Sequence, residues 1–342
     1  MGVTATGPGP RLPPPRGPLT GDLIALLTTD PDADAGAGEV AGPALAASAW
    51  SEDHQLALYL CYELHYRSFA GVDARWEWEP RVLGLRAQLE RSFLAALRAE
   101  IGAVPPLEDQ LRDLLIEPPD GAGPSHFLLR RGERWQAREY LALRSLYHLK
   151  EADPQSWVVP RLHGAAQAAL MAVQFDEYGA GRAERTHSRL FAEMMADLGL
   201  DRGYGHYLDH APAPALAVVN LMSLFALHRV HRGALVGQFA GVEISSSPGS
   251  ARLAAALERL GAGPAGTRFY LEHVEADAVH EQLMRHGVID ALLADEPDLR
   301  DDIAFGLAAG TLLDNRLAHH ALTHWKQGRS ALLAPLGAPA TA

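Results

Sequence analysis

Along most of the chain apolar residues recur at intervals of three and four, and Pro or Gly falls between the segments that carry them. That is the pattern of amphipathic helices joined by breaks. It predicts helices over about 45–69 and 81–101, the second stopped by Pro105-Pro106, and a short one from Leu107 that Pro118-Pro119 closes. After a Gly/Pro loop at 120–124 the pattern resumes over 127–151 and ends at Asp153-Pro154. Pro160 suits the first position of the next helix, which carries Ala165 to Phe175 and ends near Glu177. Gly179 and Gly181 separate it from a helix over 187–198. The run 213–244 is long and almost wholly apolar, with Ser245 to Gly249 as its end. A short helix follows, then one bearing His273, and a last one over about 298–325. No sustained alternation suits a β-sheet. The expected fold class is all-α, with helices around one central bundle.

Composition narrows the role more than the fold. A chain of 342 residues can bury a substantial core as one large domain or two. Its net charge of −12, without a basic run, argues against nucleic acid as a partner. The single cysteine, Cys61, lies in an apolar run, excludes an internal disulfide framework and fits a reducing, cytoplasmic compartment. No apolar run approaches the roughly 18 residues that span a bilayer, so no membrane partner is expected. Gly233, Gly237 and Gly241 repeat every four residues in the apolar run and allow a neighbouring helix to approach closely.

The chemistry centres on Glu272-His273-Val274-Glu275-Ala276-Asp277-Ala278-Val279-His280. On a helix His273, Asp277 and His280 fall within about 60° of one another. Imidazole and carboxylate on one stripe suit iron, manganese or zinc. Such intervals recur on any solvated helix, so further carboxylates must converge for the reading to hold. Glu177 ends a helix too apolar to lie at the surface, and a buried carboxylate needs a partner. His187 follows ten residues later, about 15 Å away in a straight helix, unless Gly179 and Gly181 fold the chain back. Glu184-x-x-His187 competes for the same role, but it sits among Arg182, Arg185 and Arg189. Glu243 is the lone acid of 211–244. Glu63, His65 and Glu139 read as structural, and His319, His320 and His324 have no matched carboxylate. Met284 stands where a zinc-protease motif begun at His280-Glu281 needs its second histidine. No nucleophile elbow, phosphate loop or dinucleotide-binding glycine pattern is present.

Taken in order, Glu-x9-His, a later lone Glu, then His-x3-Asp-x2-His resemble the heme-oxygenase-like diiron oxidases and oxygenases, the iron-containing redox enzyme family. Leu149-Lys150-Glu151-Ala152-Asp153-Pro154 and Phe175-Asp176-Glu177-Tyr178-Gly179 resemble it too, and the likeness covers about 127–287. The resemblance implies a heme-oxygenase-like helical bundle with an N-terminal helical extension: a disordered tail (1–19), a helical region (20–125), the diiron domain (126–330) and a flexible tail (331–342). It implies two Fe2+ ions per chain held by Glu177, His187, Glu243, His273, Asp277 and His280, with Glu151 as a further carboxylate. O2 would be co-substrate, and an amino-acid-like or fatty-acid-like small molecule the substrate. Glu275, Tyr178 and Arg189 are near enough in sequence to orient ligands. The resemblance leaves room for an external electron donor and a homodimer. Two other classes compete: an iron-storing helical protein without turnover, and a true heme-binding bundle.

Overall fold

Helix boundaries follow the chain's own start and stop signals. The computed structural model describes residues 9–32, 48–117 and 121–337, and among them every regular element is helical. The N-terminal part holds α1 (Pro18–Leu27), α2 (Glu52–Glu63), α3 (Pro80–Ile101) and α4 (Leu107–Leu114). Next come α5 (Pro124–Arg131), α6 (Arg134–His148), the one-turn α7 (Asp153–Ser156), α8 (Gly164–Glu177) and α9 (His187–Asp197). The remainder is α10 (Ala213–Leu227), α11 (Arg232–Arg259), α12 (Pro264–Gln282), a π-helical segment (Leu283–Asp290), α13 (Ala291–Asp295) and α14 (Arg300–Lys326). Proline opens α1, α3, α5 and α12, where a missing N–H leaves no hydrogen bond unmade. Ser51 caps α2 by accepting from the His54 N–H.

Four predicted boundaries move, each for a local reason. The segment 127–151 is two helices, because the chain breaks at Gly132 and restarts where Gln136 Oε1 accepts from the Glu133 N–H at 2.8 Å. The run 213–244 also divides, turning through 108° between Leu227 and Arg229. Arg161 donates to the carbonyl oxygens of Ala226 and Leu227, serving the acceptors that α10 leaves open at its end. The expected stop at Ser245 to Gly249 does not occur. Instead α11 runs on through Pro248 to Arg259 and buries Ser250, Leu253, Ala254 and Leu257. Pro160 lies in a separate 3-10 turn (Val159–Arg161), and the helix begins only at Gly164.

Helix α10 is buried on nearly every side, and α11 packs between α12 and α14. At the α11–α14 crossing the backbones touch. A Cβ on Gly237 would collide with the Ile303 carbonyl, and one on Gly306 with that of Ala234. One apolar core runs from Leu19 in α1 to Leu332, so the loop at 120–124 does not separate two cores.

Parts of both expected tails are docked. Leu19 is fully buried, and Arg16 donates to the carbonyl oxygens of Ala211 and Leu208 at 2.8 and 2.7 Å. At the other end the Ala331 N–H donates to Glu139 Oε2 at 2.9 Å. Residues 1–8 and 338–342 lie outside the described residues. No single described helix is long and apolar enough to cross a membrane; α10 and α11 pass that test only as a bent pair.

Candidate metal centre

Helix α12 sets the frame. His273, Asp277 and His280 are buried along it, whereas Leu271, Glu275, Ala278 and Val279 are exposed. The stripe predicted from spacing therefore faces inward. Glu243 comes from α11, Glu177 from the last position of α8, His187 from the first of α9, and Glu151 from the turn after α6. The turn between α8 and α9 makes the approach possible. Gly179, Ala180 and Gly181 all take positive φ, at 71°, 52° and 78°. A Cβ on Gly179 would stand 2.6 Å from the Arg185 carbonyl carbon. The chain doubles back, and His187 Nδ1 comes within 2.8 Å of Glu177 Oε2. Glu184, the competing carboxylate, is exposed in the connecting turn.

Two triads result. Glu151, His187 and His273 each offer a ligand atom within 4.8 Å of the others, and so do Glu177, Glu243 and His280. Glu177 joins the two, because Oε2 lies 2.8 Å from His187 Nδ1 and Oε1 lies 3.8 Å from His280 Nδ1. His280 Nδ1 is also 2.8 Å from Glu243 Oε2 and 3.7 Å from Asp277 Oδ1. All seven predicted residues thus meet in one region.

The outer atoms of His273, Glu151, Asp277 and His280 are tied to partners outside the cluster, and their other donor atoms face into it. His273 Nδ1–H donates to the Phe269 carbonyl oxygen at 2.7 Å, which leaves Nε2 as the lone-pair nitrogen, 3.9 Å from Glu151 Oε2. Glu151 Oε1 pairs with His148 Nδ1 at 2.9 Å, while Oε2 is buried with no hydrogen-bond partner. Asp277 Oδ2 accepts from the Ser246 hydroxyl, which leaves Oδ1 on the His280 side. His280 Nε2 lies 3.3 Å from Asp176 Oδ2, and Nδ1 points among the carboxylates. His187 Nδ1, though 2.8 Å from Glu177, has no aligned hydrogen bond to it. Ligand sets of metal proteins are held this way, with the far atom of each group fixed by a partner.

Charge makes the same case. Burial pushes Glu177 up to about 7, and burial and then Glu243 push Asp277 up to about 8. Burial disfavours charge on His187 and His280, yet Glu177 overrides it for the first and Glu243 for the second, raising them to about 10 and about 9. Burial and then His187 lower His273 to about 4. Burial opposes ionisation of Glu151, but His148 outweighs it and holds the carboxyl near 2. The metal-free cluster keeps protons where a cation would otherwise balance crowded carboxylates. A mixed oxygen and nitrogen donor set of this kind fits iron.

Sequence reasoning did not single out His148, Asp176, Ser246 or the Phe269 carbonyl. Two had a signal: Asp176 adjoins Glu177, and His148 precedes Glu151 by one turn. Of the proposed supporting groups, Glu275 is exposed, and Arg189 pairs with Glu193 at 2.7 Å on the surface. Tyr178 instead donates to Asp153 Oδ1 at 2.8 Å, linking the segment after Glu177 to the one after Glu151.

A cavity of about 400 Å³ adjoins the centre. Glu151 and His273 form part of its wall, and Arg144, Asp314, Gln238 and Tyr270 also line it.

The sequence pattern of the iron-containing redox enzyme family matches residues 138–315, just over half the chain. The chain belongs to that family. It is also 25% identical over 222 residues to the nitrosourea synthase of Streptomyces achromogenes subsp. streptozoticus. That match covers 62% of this chain and 47% of the relative, so the chain spans about half the relative's length. Among solved structures, a domain of unknown function with a heme oxygenase-like fold from Shewanella denitrificans OS217 aligns with a TM-score of 0.48 and 16% identity. The alignment covers 72% of this chain and 98% of that one.

Proposed function

We propose that the protein is a nonheme diiron oxidoreductase that uses O2 to oxidise a small organic molecule held in the cavity beside Glu151 and His273. The observation that carries this is the pair of buried triads joined by Glu177, the first with Glu151 Oε2 and His187 Nδ1 left without a hydrogen bond and the second with His280 Nδ1 turned to Glu243 Oε2. Glu151, His187 and His273 would hold one iron, and Glu243, Asp277 and His280 the other, with Glu177 between them. When bound, the iron pair supplies the electrons that reduce O2. The protein's own part is to position. Phe269, Ser246, Asp176 and His148 fix the ligand side chains.

The cavity favours an amino-acid-like over a fatty-acid-like substrate. Arg144 Nη1 donates to Asp314 Oδ1 at 2.9 Å, which places a cation and an anion side by side on the wall. An acyl chain offers nothing to that ion pair, whereas a ligand with a carboxylate and an amine can pair with both of its members. The relative's name, nitrosourea synthase, points to nitrogen-rich chemistry of the same kind.

The test is anaerobic loading with Fe(II), metal analysis after desalting, and O2 consumption with and without amino-acid and fatty-acid panels. Two irons per chain with substrate-dependent O2 uptake is the expected result. Iron bound without any substrate effect would indicate storage instead.

A further inference from the structure

Helix α2 belongs to the N-terminal part, outside the segment that carries the metal-ligand pattern. Yet its last residue, Glu63, is fully buried and accepts from Lys150 Nζ at 3.0 Å. Lys150 is itself 1% exposed and immediately precedes Glu151. The pair is held on every side. Tyr204 donates its hydroxyl to Glu63 Oε1 at 2.6 Å, and the Lys150 ammonium lies over the rings of Tyr66 and Tyr59 at 4.3 and 5.1 Å.

The turn that presents Glu151 requires such restraint. Ala152, directly after it, takes φ 76°, a left-handed conformation that a residue with a Cβ rarely adopts. Within this turn consecutive side chains part: Lys150 reaches back to α2, while Glu151 reaches His148 and the His273 side of the centre. A buried ion pair adds little stability over an apolar pair of similar size, but removing one partner leaves an uncompensated buried charge, so the two must stay together.

We propose that Glu63 is a positioning residue for Glu151. By holding Lys150 it sets the turn that delivers Glu151 Oε2 to the triad with His187 and His273, so the N-terminal helices complete one half of the metal centre. The inference rests on the dinuclear reading given above.

The test compares iron stoichiometry and Mössbauer spectra after anaerobic Fe(II) loading. The proteins are the wild type, Glu63→Gln, Lys150→Arg, the double variant Glu63→Met/Lys150→Met, and Glu151→Gln as reference. The double variant replaces the pair with apolar side chains and keeps the interior packed if a single variant fails to fold. Expected are two irons in the wild type and in Lys150→Arg. Glu63→Gln and the double variant keep one iron tightly and bind the second at least tenfold more weakly, matching Glu151→Gln, with helical circular dichroism unchanged. A lowered melting temperature with both irons retained at wild-type affinity overturns the proposal and leaves the pair a purely structural role. A wild type that binds no iron overturns the dinuclear reading itself, and this proposal with it.

Discussion

The His273 imidazole is tethered to its own helix: Nδ1–H donates to the carbonyl oxygen of Phe269, one turn earlier, at 2.7 Å. The bond selects the tautomer whose Nε2 faces Glu151 and fixes the plane of the ring. Replacing His273 with Ala removes a donor from the Glu151 triad and leaves the Glu177 triad intact. The expected result is one iron lost and the other retained, with helical content nearly unchanged. His280→Ala should remove the other ion in the same way. Undiminished iron content in either variant counts against the assignment.

The metal-free protein should lose stability as the solution becomes alkaline. His187 and His280 are raised from 6.5 to about 10 and about 9. The stability they contribute is complete below pH 6.5 and is lost as pH rises through those values. Glu177 and Asp277, raised to about 7 and about 8, act in the same direction. His273 and Glu151, lowered to about 4 and about 2, act only on the acid side. Calorimetry between pH 6.5 and 9 should show the melting temperature of the metal-free form falling. Iron must displace these protons, so the gap between loaded and metal-free forms should widen over the same range. A flat metal-free profile would contradict the sign.

Arg144→Met tests the cavity without touching the centre. A hydrogen bond to a charged group contributes about 1.5–3 kcal/mol. Calorimetric affinity for an amino-acid ligand should therefore fall roughly 10- to 100-fold, while iron stoichiometry stays at the wild-type value. Equal loss of iron and ligand would mean that Arg144 supports the fold instead.

The α11–α14 crossing predicts a position-specific penalty. A Cβ on Gly237 meets the Ile303 backbone, so Gly237→Ala should destabilise the protein by about 1–3 kcal/mol or more, as overpacking does. At Gly241 the nearest obstacle is Leu307 Cγ at 3.7 Å, an ordinary contact. Gly241→Ala should be close to neutral in the same thermal melt, and a similar loss at both positions would refute the crossing argument.

Particular residues show how far the sequence reached. His273, Asp277 and His280 were legible because one helix carries them and its period is fixed. Glu177 and His187 needed one further step, since only the glycines between them show that the chain reverses. Pro248 misled because Ser245 to Gly249 has the composition of a loop, whereas the helix continues to bury Leu253 and Leu257. That continuation carries Ser246 to Asp277, a contact that no local pattern announces. The division of 213–244 was equally hidden, because the group that receives the end of α10 is Arg161, some 65 residues upstream. Glu63 looked unconnected for the same reason: its partner is 87 positions away.

Glu139, on α6, is 2% exposed, and its Oε2 accepts from Trp325 Nε1 and from the Ala331 N–H, both at 2.9 Å. The end of the described chain is thus stitched to the helix that bears Arg144 and leads into Glu151. A purification tag joined close behind residue 337, or a deletion made from residue 329 onward, would pull on that stitch and disturb α6 from a distance.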